Sequence, residues 1–313
     1  MESEKALPQT LMEAMQYFSD PDTCLQFVAT LRWPEGPSCP RCTCHMVRFL
    51  STRRLWACKR CKKQFSAKVG TIFEDSPIGL DKWLCGIWMI VNAKNGISSY
   101  EIHRALGVTQ KTAWFMSHRI RLALQRGSFQ KKLSGQVAAD ETYIGGKARN
   151  MHFDKRPPIV VTGRSTIGKA VVMGLLERKG EVRVKVIDRL TAKALQGVVK
   201  QHVEPGTEVF TDEFSSYKGL SHKYAHRVIN HAETYVKGQI HTNGIENFWS
   251  LLKRGLKGTY VSVEPFHLFR YLDEQAFRFN ARLGNDLERF MAAVSTIGGR
   301  RVTYRQLIGA TCQ

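Results

Sequence analysis

The hydrophobic pattern predicts a helical N-terminal part, followed by a part in which strands alternate with helices. Apolar residues recur at helical spacing within residues 1–31 and again within residues 77–126. After residue 135, three short β-rich runs follow: GQVAADETYIGG, KAVVMGLLER and EVRVKVIDRL. The rest predicts a helix over TAKALQGVVKQHV, a short strand in TEVFTD, a segment YAHRVI, and helices at about 243–256 and over most of 264–295. This order predicts the α/β class, a mixed sheet with flanking helices.

The same patterns divide the chain into five regions. We expect an N-terminal helical segment at 1–31, a cysteine-rich region at 32–76, a helical region at 77–126, a polar basic linker at 127–135, and a strand-and-helix domain with C-terminal helices at 136–313. A chain of 313 residues is long enough for two or three domains of ordinary size.

The net charge of the chain indicates that it binds a partner of opposite charge. Lys and Arg number 47 against 27 Asp and Glu, a formal charge of +20. Such an excess of positive charge predicts a polyanionic binding partner. Nucleic acid is the first candidate, and an anionic membrane surface is the second. The longest apolar stretch, from Trp83 to Val91, is near half a membrane span. The first residues carry acids where a signal peptide needs bases. We therefore expect a cytoplasmic protein with no membrane partner.

Four of the eight cysteines form two C-x-x-C pairs, Cys39 with Cys42 and Cys58 with Cys61, with fifteen residues between the pairs. Four thiolates in a tetrahedron are what Zn²⁺ prefers, and this spacing is typical of a Cys₄ site. The metal is expected to be structural, because so short a segment cannot build a core without it. The neighbouring Cys44 and His45 remain possible substitute ligands.

The cysteine-rich segment is also strongly basic. Residues 32–70 hold ten Lys or Arg and one acid, Glu35. The candidate phosphate contacts are Arg53, Arg54, Lys59, Arg60, Lys62 and Lys63. The alternatives are an ordinary solvated face and a surface that binds protein. We call this cysteine-rich region, residues 32–76, the zinc ribbon.

Residues 97–120 have the pattern of a helix–turn–helix. Ser98 or Ser99 caps a first helix, Gly107 supplies the turn, and Thr109 caps a second helix. The candidate base-reading side chains, near the start of the second helix, are Gln110, Lys111 and Trp114. The alternative is a helical hairpin without DNA contact.

The hypothesis of a catalytic site rests on three acidic residues that lie far apart in the sequence. Asp140 lies within a predicted strand, Asp212 ends another, and Glu246 lies on a helix, at separations of 72 and 34 residues. A carboxylate in a buried strand is costly unless it is paired or bound to metal. Three carboxylates brought together favour Mg²⁺, and two such ions can act on a phosphodiester. Glu141 follows Asp140 directly and is expected to point to the opposite face of the sheet.

The helix that carries Glu246 is predicted to have two different faces. The face expected toward the site holds Asn243, Glu246, Ser250 and Lys253. The face expected against the sheet holds Ile245, Phe248, Leu252 and Leu256. Lys253 is a candidate to hold a phosphate as a point charge. In the next helical segment, the side expected to be apolar holds Phe266, Phe269, Leu272, Ala276 and Phe279.

The sequence resembles the DDE transposases of bacterial insertion sequences, of the Merlin-related type. The matching stretches are CPRC, CKRCKKQFSAKVGTIFEDSPIGLDKWL, ADETYIGGK, TDEFSSYKGL and HTNGIENFWSLLKRGLKGTY. The resemblance implies an RNase H-like catalytic domain that cuts and joins transposon ends with two Mg²⁺ ions, or with Mn²⁺ in their place. It matches Asp140, Asp212 and Glu246 to the family's three acids, and Lys253 to the basic residue after the third. Asn243 and Asn247 remain rivals at the third position.

The resemblance also implies partners. The zinc ribbon and the helix–turn–helix would recognise inverted-repeat ends, and chemistry at two ends implies a homo-oligomer, at least a dimer. Double-stranded DNA would be bound both as transposon end and as target, by a nucleoid-associated cytoplasmic protein. Three alternatives stay open: a DNA-binding regulator without catalysis, an RNase H-like nuclease that cuts without joining, and a zinc-stapled interaction protein. The basic segment 147–169 is either a phosphate contact or a surface insertion.

Overall fold

A computed structural model describes residues 6–125, 131–145, 169–212, 215–217, 219–228 and 243–310. The described helices, in chain order, are α1 (Leu11–Tyr17), α2 (Pro21–Arg32), α3 (Leu80–Asn92), α4 (Ser99–Leu106), α5 (Gln110–Leu124), α6 (Ala192–His202), α7 (Asn243–Gly258), α8 (Leu268–Asn280), α9 (Asp286–Val294) and α10 (Tyr304–Leu307). The described strands are β1 (Val47–Leu50), β2 (Leu55–Cys58), β3 (Gln64–Phe65), β4 (Gln136–Ile144), β5 (Ala170–Glu177), β6 (Val182–Ile187), β7 (Glu208–Thr211) and β8 (Ala225–Val228).

The chain forms two compact units. The first combines Met1–Arg126 with Ala281–Gln313, and the second is Gly127–Asn280. The sequence predicts one domain from 136 to 313, whereas the last helices join the first unit. The reason is aromatic packing: the ring of Phe290 on α9 is fully buried and lies 5.0 Å from the ring of Trp88 and 5.7 Å from that of Phe18.

Local capping explains where the helices of the first unit begin and end. Ser98 accepts from the backbone N–H of Glu101, and the Glu101 side chain accepts from the backbone N–H of Ser98, which makes a capping box at α4. Gly107 ends α4 with a φ of +57°, a conformation that glycine adopts without steric cost. Thr109 then caps α5 by accepting from the backbone of Thr112. The two predicted helices and the turn at Gly107 are therefore present.

Residues 47–65 form a three-stranded antiparallel sheet in the order β1-β2-β3. The register pairs Val47 with Cys58 and Leu50 with Leu55. Trp56 and Phe65 are buried on this small sheet, with their rings stacked 6.2 Å apart. This short meander carries the second C-x-x-C pair.

The second unit is built on a five-stranded mixed sheet in the order β6-β5-β4-β7-β8. β4 pairs with β5, and β5 with β6, in antiparallel fashion, whereas β7 runs parallel to both β4 and β8. One face packs Val137 and Ala139 against Leu195 and Val199 of α6. The other face packs against α7 and α8. The expected RNase H-like α/β architecture, a mixed sheet with flanking helices, is confirmed.

Burial on α7 follows the predicted apolar face, but the next helix differs from its prediction. Ile245, Phe248 and Leu252 are buried, and Leu256 packs against the same cluster. Phe266 and Phe269, by contrast, are 60% and 40% exposed, so the first two positions of the expected apolar side are not buried. Because α8 begins only at Leu268, its buried side starts with Leu268, Tyr271 and Leu272 instead.

The described end of the predicted linker belongs to the second unit. Leu133 is buried, its N–H donates to the carbonyl of His202 at 2.8 Å, and its carbonyl accepts from Glu204 at 2.9 Å. The predicted basic segment 147–169 lies outside the described residues, apart from its last position. In the described part of the chain, no helix combines the length and the apolarity that crossing a membrane requires.

Candidate active site and metal centre

The two C-x-x-C pairs form matching knuckles. After each pair the backbone takes a left-handed turn, at Thr43 with a φ of +55° and at Lys62 with a φ of +57°. The N–H of Thr43 donates to the carbonyl of Cys39 at 2.8 Å, and that of Lys62 to the carbonyl of Cys58 at 3.1 Å. Each turn therefore directs two sulfurs to the same side.

The four sulfurs lie together in a metal-sized group. Sγ of Cys39 is 3.6 Å from that of Cys61, and Sγ of Cys42 is 3.6 Å from that of Cys58. A tetrahedral Zn²⁺ with bonds of about 2.3 Å separates its sulfurs by about 3.8 Å, so the group fits this ion. The backbone N–H of Cys61 donates to the Cys58 sulfur and lowers the pKa of that thiol to about 6, which favours the thiolate that a metal needs.

Cys44 lies outside this group. Among the residues that the structure describes, the set of at least three His, Cys, Asp or Glu with ligand atoms within 4.8 Å of one another consists of Cys39, Cys42, Cys58 and Cys61. Neither Cys44 nor His45 belongs to it. The sequence left their role open, and the geometry favours the four C-x-x-C cysteines.

Most of the predicted phosphate contacts around the cysteines are exposed, but one has an acidic partner. The exposed and basic members are Arg53, Lys59, Arg60, Lys62 and Lys63. Arg54 instead donates to both carboxylate oxygens of Asp22, at 2.5 and 3.1 Å. Its guanidinium is therefore already bound in a bidentate ion pair, which makes it a weaker candidate for a phosphate contact.

The predicted recognition helix is largely buried. On α5 the segment from Met116 to Arg121 is buried throughout. At its first turn, Gln110 donates to the hydroxyl of Ser99 at 2.9 Å, and the Lys111 ammonium lies 4.7 Å from the ring centre of Tyr304. Trp114 is half-buried and packs edge-on against His118. The accessible side chains lie mainly between Gln110 and Phe115, and a DNA-binding role for the helix stays a prediction.

Two of the three predicted acids belong to neighbouring parallel strands: Asp140 lies within β4, and Asp212 directly follows β7. The register of β4 and β7 pairs Ala138 with Phe210. Asp140 and Asp212 each follow two residues later along the chain, so they lie beside each other at the point where β7 ends. Residues at the carboxyl ends of strands are the usual place for a site in an α/β sheet.

The third acid lies on the helix that covers this part of the sheet. Glu246 is in the first turn of α7 and is exposed, as is Lys253 two turns later on the same side. Three residues after Glu246, the indole of Trp249 donates from Nε1 to Oδ2 of Asp140 at 2.9 Å. This contact places the start of α7 next to β4.

The electrostatics of Asp140 link all three acids. Burial raises the pKa of this carboxyl, and the negative charges of Asp212 and Glu246 raise it further. Hydrogen bonds from Trp249 and from the backbone of Glu141 act in the opposite direction. The three carboxylates thus share one electrostatic environment, although within the described ranges they are not packed as closely as the cysteine sulfurs.

Glu141 points to the other face of the sheet, as predicted from its position after Asp140. Its Oε1 accepts a hydrogen bond from the hydroxyl of Tyr217, which is fully buried. Burial raises the pKa of Glu141 to about 7, opposed by the bond from Tyr217 and reinforced by the charges of Asp212 and Asp140. Tyr217 and Trp249 were not among the predicted site residues. Their signal in the sequence is an aromatic residue shortly after Asp212 and after Glu246.

Two families of known proteins match the two parts of the chain that carry these residues. Residues 132–280 match the ISXO2-like transposase domain, and residues 19–64 match the transposase zinc-ribbon domain. A protein of the transposable element ISH50 from Halobacterium salinarum is 28% identical over 241 residues, which cover 73% of this chain and 81% of that protein. A transposase-like protein from Haemophilus influenzae is 32% identical over 103 residues, 33% of this chain and 83% of that relative.

Among solved structures, a pre-cleavage Mos1 transpososome is similar with a TM-score of 0.25 and 13% identity, over 68% of this chain and 78% of that one. The assignment itself comes from the two domain matches and from the Haemophilus relative, most of whose length the chain covers. The matched ranges contain the five-stranded sheet with its acids and the cysteine group. This chain therefore belongs to the ISXO2-like transposase family.

Proposed function

We propose that this transposase binds the inverted-repeat ends of its element as double-stranded DNA, cleaves a phosphodiester there, and joins the freed end to target DNA. Asp140, Asp212 and Glu246 are the proposed metal-binding carboxylates. The observation that carries the proposal is the β4–β7 register, because it brings acids 72 residues apart in sequence side by side, next to the carboxyl end of β7. The start of α7, with Glu246, lies against the same part of the sheet.

The donor set suits Mg²⁺. Carboxylates are hard oxygen ligands, and Mg²⁺ or Mn²⁺ binds them in preference to sulfur or nitrogen. Burial raises the pKa of Asp140, and the negative charges of Asp212 and Glu246, which raise it further, are the charges that a divalent cation would neutralise. When bound, a pair of such ions supplies Lewis-acid stabilisation to the attacking and leaving oxygens of phosphoryl transfer.

Basic side chains on both units would hold the DNA. Lys253 lies on the exposed side of α7 that also carries Glu246, and there its ammonium can contact a phosphate near the acids. The exposed basic residues of the zinc ribbon would bind the phosphate backbone of the transposon end, with the first turn of α5 supplying base contacts. Structural Zn²⁺ in the Cys₄ group would keep the ribbon folded.

The assembly and location follow from this chemistry. Two transposon ends must be processed together, so the active form is proposed to be a homo-oligomer, at least a dimer. Its DNA substrates place it in the bacterial cytoplasm, in association with the nucleoid. Either Asn243 or Asn247 in place of Glu246 as the third ligand remains a testable rival.

The test is cleavage of a duplex that carries the inverted repeat flanking the element. Asp140→Asn is expected to lower Mg²⁺-dependent cleavage by at least about 10³-fold, because it removes a metal-binding charge. The matched control is Asp188→Asn, an exposed acid in the same unit, which is expected to cleave like the wild type. Cleavage by Asp140→Asn at the wild-type rate would refute the assignment.

The same assay separates the rival functions. Cleavage of the end without joining to a target duplex would identify a nuclease. Specific end binding without Mg²⁺-dependent cleavage would identify a regulator. The corresponding Glu246→Gln, Asn243→Ala and Asn247→Ala variants identify the third ligand, and only Glu246→Gln is expected to lose activity.

A further inference from the structure

Trp249 is the feature that the proposed chemistry leaves unexplained. It lies on α7, is 5% exposed, and its ring packs edge-on against Phe248 at 5.1 Å. A buried indole N–H needs a partner, and this one donates to Oδ2 of Asp140 at 2.9 Å. The two residues are 109 positions apart in sequence. Only the folding of the chain brings these two residues together.

Both oxygens of the Asp140 carboxylate are held. Oδ2 accepts from the Trp249 indole, and Oδ1 accepts from the backbone N–H of Glu141 at 2.8 Å. Two donors on two oxygens fix the rotation of the carboxylate about its terminal bond. Each oxygen keeps a further lone pair, so the carboxylate remains able to bind a cation.

The strand beside Asp140 is shaped to admit the indole. Gly174 on β5 pairs directly with Asp140. A Cβ at Gly174 would lie 2.6 Å from Cζ2 and 2.7 Å from Cη2 of Trp249, closer than real Cβ contacts. The ring of Trp249 thus occupies the space above Gly174 that any other residue would fill.

The contact also joins two of the acid-bearing elements. Trp249 follows Glu246 by three residues, so both lie on neighbouring positions of α7. A bond from Trp249 to Asp140 therefore sets the position of the Glu246 helix relative to the Asp140 strand. Partners of this kind, which orient metal ligands without touching the metal, govern metal affinity.

We propose that Trp249 is a positioning residue that orients the Asp140 carboxylate for a divalent cation, and that Gly174 is required because its missing side chain makes room for the indole. This inference rests on the proposed function, since it takes Asp140 to be a metal ligand. Trp249, the second of the two aromatic residues in the ENFWS segment, thus has a role in the site beyond filling the core.

The experiment measures Mn²⁺ binding to the zinc-loaded full chain by electron paramagnetic resonance, without DNA. Trp249→Phe keeps an aromatic ring and removes the donor, and is expected to weaken Mn²⁺ binding about 10- to 100-fold. Cleavage by this variant is expected to recover at saturating Mn²⁺. Gly174→Ala, which displaces the indole, is expected to shift Mn²⁺ binding in the same direction.

The matched control is Trp88→Phe, the same substitution at a buried tryptophan of the other unit, and it is expected to leave Mn²⁺ affinity unchanged. The Asp140→Asn variant distinguishes the positioning role of Trp249 from the proposed metal site itself. If Asp140→Asn loses Mn²⁺ binding while Trp249→Phe binds like the wild type, the positioning role is refuted and the proposed function stands. If Asp140→Asn binds Mn²⁺ like the wild type, the proposed metal site itself is refuted, and the positioning role falls with it.

A second measurement does not depend on the fold of the Trp249 and Gly174 variants. In wild-type protein labelled with 5-fluorotryptophan, Mn²⁺ is expected to broaden one of the six ¹⁹F resonances before the others, and Asp140→Asn should abolish this effect. Equal broadening of all six resonances would overturn the inference.

Discussion

The hydroxyl of Tyr217 donates a hydrogen bond to Oε1 of Glu141, and this bond joins the turn after β7 to the central strand β4. Tyr217 ends a 3₁₀ turn at Ser215–Tyr217, a few residues after Asp212. Glu141 directly follows Asp140. The bond therefore links the segments that carry two of the proposed metal ligands, on the face of the sheet opposite to Trp249.

Removing this hydroxyl should destabilise the second unit. Tyr217→Phe leaves the Glu141 carboxylate buried without its donor, which is expected to cost about 1–3 kcal/mol in the free energy of unfolding. Urea unfolding followed by circular dichroism measures the change. The control is Tyr143→Phe on the same strand, where the tyrosine is 38% exposed and little change is expected. Equal effects of the two substitutions would contradict the role of the bond.

Glu141 should make stability depend on pH. Its pKa is raised from the ordinary value of 4.5 to about 7, so the folded state binds a proton more tightly than the unfolded state. The resulting stabilisation is present below about pH 4.5 and is lost as the pH rises through 7. Without added divalent ions, the wild type should lose up to about 3 kcal/mol relative to Glu141→Gln between pH 5 and pH 8.

Thermal unfolding of both proteins across that range is the measurement. His202, whose pKa burial lowers to about 4, adds a dependence of the opposite sign. This contribution is common to both proteins and cancels in the comparison. Parallel pH profiles for the wild type and Glu141→Gln would show that Glu141 titrates normally.

Zinc content should distinguish the cysteines. We expect about one Zn²⁺ per chain in the wild type and in Cys44→Ser, because Cys44 lies outside the four-sulfur group. The Cys39→Ser variant should lose the zinc ion, and its zinc ribbon should unfold, because the segment has too small a core to fold without the metal. Metal analysis and thermal unfolding measure the two effects. Retention of zinc by Cys39→Ser would require a substitute ligand such as His45.

The salt dependence of DNA binding should identify the phosphate contacts of the ribbon. The slope of log K against log salt concentration is negative, and each lost contact lowers its magnitude by about 0.9. The double variant Lys59→Ala, Arg60→Ala is therefore expected to lower the magnitude of the slope by about 2. Arg54→Ala is the control, because Arg54 is already paired with Asp22 and should leave the slope unchanged. An unchanged slope in the double variant would exclude these two contacts.

Local features of this protein were predictable from its sequence because their causes lie within a few residues. The C-x-x-C pairs produce the two knuckles, and Gly107 permits the left-handed end of α4. Alternating apolar residues specify β4, and a continuous apolar run specifies β5, which is buried on both faces. The opposite orientations of Asp140 and Glu141 follow from the two-residue repeat of a strand. The sequence thus determined the metal-binding motif, the order of elements and the candidate acids.

Only the tertiary structure decided which surfaces meet. Residues 281–310 pack with the first unit because Phe290 fits among its aromatic rings, and no local pattern encodes that choice. The bond from Trp249 to Asp140 depends on the empty space above Gly174, and thus on three distant segments at once. Periodicity indicates which side of an element is apolar, whereas the partner of that side depends on shape complementarity between parts far apart in the chain.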